Sequence, residues 1–153
     1  MLSAKNLFKV MYFCILHIQK IMRSHFSILF ATIRPDIEEK ISVGLILVDS
    51  NSVFFRYSEN KLTIVKELLT LPAFEYLNEI LHQISKEANG EKEKLKGVKT
   101  ESRPISQSFS LGYLDYLSRY SNNLLTFSSP KIIDLQTDEQ LFERLFKKYI
   151  DEK

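Results

Sequence analysis

Residues 41–57, Ile41-Ser42-Val43-Gly44-Leu45-Ile46-Leu47-Val48-Asp49-Ser50-Asn51-Ser52-Val53-Phe54-Phe55-Arg56-Tyr57, decide the fold. From Ile41 to Val48 only Ser42 and Gly44 interrupt the apolar residues. A strand with water on one face alternates apolar and polar residues, so an unbroken run of this length predicts a central strand covered on both faces. Asp49-Ser50-Asn51-Ser52 is a turn cluster, because short polar side chains bond to nearby backbone and tolerate tight reversals. Val53-Phe54-Phe55-Arg56-Tyr57 then reads as a further strand, and so short a connection makes the pair an antiparallel hairpin.

Upstream, residues 24–33 (SHFSILFATI) are rich in β-branched and aromatic residues and predict a strand. Arg34-Pro35-Asp36 ends it, since proline cannot donate to a ladder. Downstream the period changes to that of helices. Asn60 is placed to cap a helix through Leu69, and Pro72 suits the first turn of the next. Phe74, Leu77, Ile80, Leu81, Ile84 and Ala88 recur at helical spacing, and Asn89-Gly90 supplies a helix stop. The charged residues 91–108 read as a loop. Helical spacing resumes over 109–120 with Leu111, Leu114 and Leu117. Short strands are expected at Leu124–Phe127 and Ile132–Leu135, around Ser128-Ser129-Pro130. Thr137-x-x-Gln140 resembles a capping box before a last amphipathic helix carrying Leu141, Phe142, Leu145, Phe146, Tyr149 and Ile150. The expectation is an α+β domain over residues 22–153. Its antiparallel sheet combines the N-terminal strand, the hairpin and short strands near the C-terminus, with helices covering one face. A chain of 153 residues, 44% hydrophobic, suits one such core.

The formal charge of +2 is unevenly placed. Residues 1–25 hold Lys5, Lys9, Lys20 and Arg23 and no acid, which leaves 17 basic against 19 acidic groups elsewhere. Bulk charge therefore gives the body of the protein no affinity for polyanions. Cys14 is the sole cysteine, which excludes an internal disulfide and fits a reducing, cytoplasmic setting. In residues 7–22 (LFKVMYFCILHIQKIM) the apolar stretch Val10–Leu16 is too short to span a bilayer, and His17, Gln19 and Lys20 end it. No small-residue cleavage site follows, as a signal peptide requires. A membrane-surface helix and a transit peptide are further readings. Residues 1–21 are expected as an N-terminal helical extension packed on the domain, unless Met22 is the true start.

Phe26-Ser27-Ile28-Leu29, Arg34-Pro35-Asp36 and Glu39-Lys40-Ile41-Ser42-Val43-Gly44-Leu45-Ile46-Leu47 together resemble the bacterial family known as domain of unknown function 3037. That family opens with a strand, a Pro-Asp turn and a pattern of the form E-x-x-N-V-G-V-V-L. Leu125-Thr126-Phe127 before Ser129-Pro130, and a closing helix with Leu141 and Leu145-Phe146, are similar to it in style. Ser42 departs from the pattern by standing where the family tends to have Asn. A serine offers one hydroxyl, so a bracing role survives the exchange while a chemical role of the amide does not. The resemblance implies no established activity; it implies a partner role beside kinase-like proteins.

Candidate chemistry is sparse. Asp36, Glu38 and Glu39 form an acidic loop whose carboxylates could hold a hard cation or serve a small hydrolase or nuclease, although a solvated loop is the better reading, since acids beside a turn need no further cause. Asp49 lies at the far end of the strand, about 30 Å from Glu39 at the usual rise, so the two cannot share a metal. Gly44 inside a strand marks a bulge or a close backbone approach, by a packed helix or by a ligand. His25 and His82 show no metal-ligand spacing, and neither a serine elbow nor a phosphate loop is present, so no cofactor or metal is expected. Lys86, Lys92, Lys94, Lys96, Lys99 and Arg103 are offset by Glu87, Glu91, Glu93 and Glu101, with no aromatic interleaved for base stacking. Nucleic-acid binding there ranks behind a protein partner. Tyr113, Tyr116 and Tyr120 share one helical stripe and Leu111, Leu114 and Leu117 another, so the tyrosines edge the core or face a partner. The leading expectation is a non-enzymatic interaction or accessory protein, with Ser42, Gly44 and these tyrosines as binding candidates.

Overall fold

The computed structural model describes residues 24–50, 52–97, 109–121 and 123–151. The expected N-terminal extension, with Cys14 and His17, and residues 98–108 of the expected loop lie outside them. Strands β1 (Ser24–Arg34), β2 (Glu39–Val48), β3 (Val53–Tyr57), β4 (Leu125–Phe127) and β5 (Lys131–Ile133) form one antiparallel sheet. Its order is β3-β2-β1-β4, and β5 pairs with the other half of the same β1 edge. Helices α1 (Glu59–Leu68), α2 (Leu71–Gly97), α3 (Leu111–Tyr120) and α4 (Glu139–Tyr149) complete the α+β fold. No helix among the described residues is long and apolar enough to cross a membrane.

β1 meets β4 through Leu29–Ala31 and β5 through Ser24–Phe26. Ser128 bridges the two contacts. Its N–H donates to the Ile28 carbonyl at 2.8 Å and its Oγ accepts from the Ile28 N–H at 2.9 Å. That hydroxyl lets the ladder continue through the Ser128-Ser129-Pro130 break.

The helices divide between the two faces, where one covered face was expected. Leu29, Ala31, Ile46 and Val48 pack with Leu62 and Val65 of α1, Leu77 and Leu81 of α2, and Leu114 of α3. Phe26, Ile28, Leu45 and Leu47 pack on the opposite face with Leu141, Phe142, Phe146 and Ile150. The physical reason lies in β2. Every residue from Val43 to Val48 is buried, so each face needs an apolar layer, and α4 supplies the second.

Gly44 sits at a register break. Leu29 pairs with Gly44 and Phe30 with Ser42, so Val43 is the extra residue of a β-bulge. A Cβ on Gly44 would lie 3.2 Å from the Arg56 carbonyl and 3.4 Å from Tyr57 Cβ. The close approach is by β3, where a packed helix was expected.

Three helix boundaries also differ from expectation. The N-cap of α1 is Ser58, whose Oγ accepts from Lys61 N, in place of Asn60. The N-cap of α4 is Asp138, whose Oδ1 accepts from Leu141 N at 2.6 Å, in place of Thr137. α2 runs through Asn89-Gly90 to Gly97, so residues 91–97 are helical rather than loop. No glycine takes a positive φ among the described residues, so Gly90 is not a left-handed stop. The Glu-Lys-rich residues beyond it are strong helix formers with Glu91–Lys94 and Glu93–Lys96 at i, i+3 spacing.

Candidate functional site

α3 begins at Ser110, whose Oγ accepts from the Tyr113 N–H at 3.2 Å. Leu114 is fully buried and Leu117 packs against the same core, which fixes the rotation of the helix. Tyr113, Tyr116 and Tyr120 then face outward, 43%, 54% and 67% exposed. Leu111, expected with the core leucines, is also exposed, because it precedes the turn that touches the sheet. The tyrosines stack along the helix. Ring centroids of Tyr113 and Tyr116 are 6.3 Å apart and nearly parallel, and those of Tyr116 and Tyr120 are 4.8 Å apart. Such mutual contact holds the rings in place before anything binds, so less side-chain entropy remains to be lost.

Behind this stripe a cavity of about 410 Å³ opens between α2 and α3. Ile80, Ile84, Leu117 and Phe127 line its apolar floor, with Tyr113 and Tyr120 at its edge. Glu87 is the one charged residue among the described residues that line it. Tyr76, Asn123 and Leu124 also line a second cavity of about 420 Å³ that reaches Pro35 and Leu69. The two adjoin at these three residues. Tyr76, Ile80, Gln83 and Ile84 as one wall were not legible in the sequence, where Ile80 and Ile84 fit a wholly core-facing stripe. Tyr76, four residues before Ile80, was the available signal.

The other sequence-derived candidates lie elsewhere. Ser42 joins a polar cluster at the C-terminal end of α4. Its Oγ accepts from Lys61 Nζ at 2.9 Å and donates to the Tyr149 carbonyl at 3.1 Å. Nearby, Ser58 Oγ donates to Asp151 Oδ1 at 2.6 Å. Burial lowers the Lys61 pKa, against the opposing pull of Asp151. A Ser–Lys pair can serve nucleophilic catalysis when the lysine takes the hydroxyl proton. Here that proton is committed to a carbonyl, and neither side chain lines either cavity. The cluster braces the end of α4 against β2 and α1.

The acidic candidates are spread in solvent. Asp36 lies in the 3-10 turn Pro35–Ile37, Glu38 follows in a left-handed conformation at φ 55°, and Glu39 pairs with Arg34. All three are exposed. No group of three or more His, Cys, Asp or Glu side chains among the described residues is arranged to hold a metal. Asp49 closes the β2–β3 turn, its Oδ1 accepting from Ser52 N at 2.6 Å and Ser52 Oγ at 2.9 Å. His25 is buried, and its Nε2–H donates to the Phe109 carbonyl at 3.2 Å. Burial lowers its pKa, outweighing the Phe109 hydrogen bond and the charge of Asp49. His82 is exposed, its Nδ1 3.5 Å from the Tyr57 hydroxyl.

No protein-family model, curated protein or solved structure matches the chain.

Proposed function

We propose that this is a cytoplasmic, non-catalytic accessory protein that binds a protein partner through the tyrosine face of α3. The observation that supports it most is the row Tyr113, Tyr116 and Tyr120, exposed and stacked on a helix whose opposite side is anchored in the core. Tyrosine is favoured at interfaces because it buries a large ring while its hydroxyl stays hydrated or bonded. A partner fitting this face presents apolar anchors to the rings and a cationic side chain toward Glu87. The resemblance of residues 26–48 to domain of unknown function 3037 makes a kinase-like protein the first partner to try.

The test compares the full-length protein with a Tyr116→Ala/Tyr120→Ala variant as bait in lysate of the native cell. Wild type is expected to retain one stoichiometric protein that the variant loses, with both baits melting within about 2 °C, as exposed substitutions do. Equal capture by both baits, or none by either, refutes the reading. Nucleic acid as the retained species transfers the function to that class.

A further inference from the structure

We infer that Tyr116 and Tyr120 are a site of oxidative modification, where one-electron oxidation joins the two rings into an intrachain dityrosine. The spacing comes first. Residues four apart on a helix have Cβ atoms about 5–6 Å apart, so their side chains meet over one turn. Here the ring centroids of Tyr116 and Tyr120 are 4.8 Å apart and the planes are tilted by 37°. Tilt matters because the new bond forms between ring edges, at the carbons ortho to each hydroxyl. Tyr113 and Tyr116 lie 6.3 Å apart with only 13° between planes, which presents faces and leaves the edges farther off. Among the described residues, the rings of Tyr57 and Tyr149 lie instead against Phe55 and Phe26.

Access and freedom agree. Both rings are more than half exposed, so an oxidant reaches them without local unfolding. Leu114 and Leu117 hold the opposite side of α3 in the core, which keeps the pair outward. Tyr120 is the last residue of α3 and Ser121 its extended C-cap, so the Tyr120 ring can turn its edge toward Tyr116 at little cost to the helix. Two reacting groups held on one turn also meet at an effective concentration far above any attainable between chains.

Each phenol gives up one electron and one proton, leaving a tyrosyl radical with spin on its ortho carbons. The two radicals couple through one carbon–carbon bond. Each ring regains aromaticity as its ortho hydrogen moves to the oxygen. The protein has then lost two electrons and two protons. Hydrogen peroxide, acting through a haem peroxidase, accepts both and becomes two molecules of water. The product is a single biphenyl where the partner reading places two separate rings. The inference goes beyond that reading, because the coupling needs no partner.

The test treats the full-length protein, at low micromolar concentration, with hydrogen peroxide and a haem peroxidase. Dityrosine fluorescence, intact mass and a protease map are then read. Expected is a monomer lighter by two hydrogens whose main cross-link joins Tyr116 to Tyr120, in a yield per chain independent of protein concentration. Tyr120→Phe keeps the ring and removes the phenol, and is expected to lower the intrachain product at least about tenfold with an unchanged melting temperature. Tyr76→Phe, at a ring lining the same cavity as Tyr120, should leave the product unchanged. A main cross-link at Tyr76 or at any other pair overturns the inference. So does a product that forms only between chains, no product at all, or a yield that Tyr120→Phe leaves intact. The reaction is run on the protein alone, so failure here and failure of the partner reading are separately visible.

Discussion

Replacing Ser42 with alanine tests whether the polar cluster at the end of α4 is a brace. The substitution removes an acceptor from Lys61 Nζ at 2.9 Å and a donor from the Tyr149 carbonyl at 3.1 Å. A neutral hydrogen bond contributes about 0.5–1.5 kcal/mol net and one to a charged group about 1.5–3 kcal/mol. Ser42 and Lys61 are only half-buried, so water replaces part of what is lost, and about 2 kcal/mol is the expected cost. For a domain of this size that lowers the melting temperature by about 4–8 °C. Asparagine can accept from Lys61 through its carbonyl and donate to the Tyr149 carbonyl through its amide, so Ser42→Asn should cost less than about 1 kcal/mol. Thermal and urea unfolding of wild type, Ser42→Ala, Ser42→Asn, Lys61→Met and the Ser42→Ala/Lys61→Met double variant provide the cycle. Coupling of at least about 0.5 kcal/mol between the two positions is expected, as for residues in direct contact. A Ser42→Ala shift under about 1 °C, or no coupling, refutes the brace.

Other outcomes follow from single positions. Because His25 is buried and its pKa lowered, the unfolded chain binds a proton first as pH falls below about 6.5; stability present above that pH is therefore lost on acidification. His25→Gln should flatten the stability profile between pH 6.5 and 5, and an unchanged slope in urea titrations would exclude His25 as its source. Gly90→Ala meets nothing within 4 Å and should stabilise α2 by about 0.5–1 kcal/mol, whereas Gly44→Ala presses on the Arg56 carbonyl and should cost about 1–3 kcal/mol, both read from melting curves. Glu38→Asn, at φ 55°, should raise stability by about 0.5 kcal/mol because asparagine tolerates the left-handed region; a loss would show that Glu38 has a role beyond the turn.

Local signals carried most of the fold. The β2–β3 hairpin, β1, the two short strands and the last helix were all legible, since each is a run whose period or turn chemistry has one reading. Boundaries were less so. Asn89-Gly90 resembles a helix stop, but a stop needs a left-handed residue, and whether Gly90 adopts that conformation depends on the helix-forming residues that follow. Ser58 and Asp138 outcompeted Asn60 and Thr137 as caps because the sheet and the α4 docking fixed where each chain segment turns. Of the candidate site residues, the three tyrosines were recognisable from their spacing, but Ser42 acquired a meaning only beside Lys61 and Tyr149, 19 and 107 residues away.

The sequence by itself determined that β2 is central and covered on both sides, since a run of apolar residues without alternation cannot lie against water. It also determined that the tyrosines and leucines of α3 lie on different stripes, because helical periodicity is a property of the backbone alone. Only the tertiary structure decided that α4 takes the second face, that β3 is what approaches Gly44, and that α2 and α3 stand apart far enough to leave a groove. Those are distances between elements remote in the chain, set by how the two side-chain layers pack, and no local pattern encodes them.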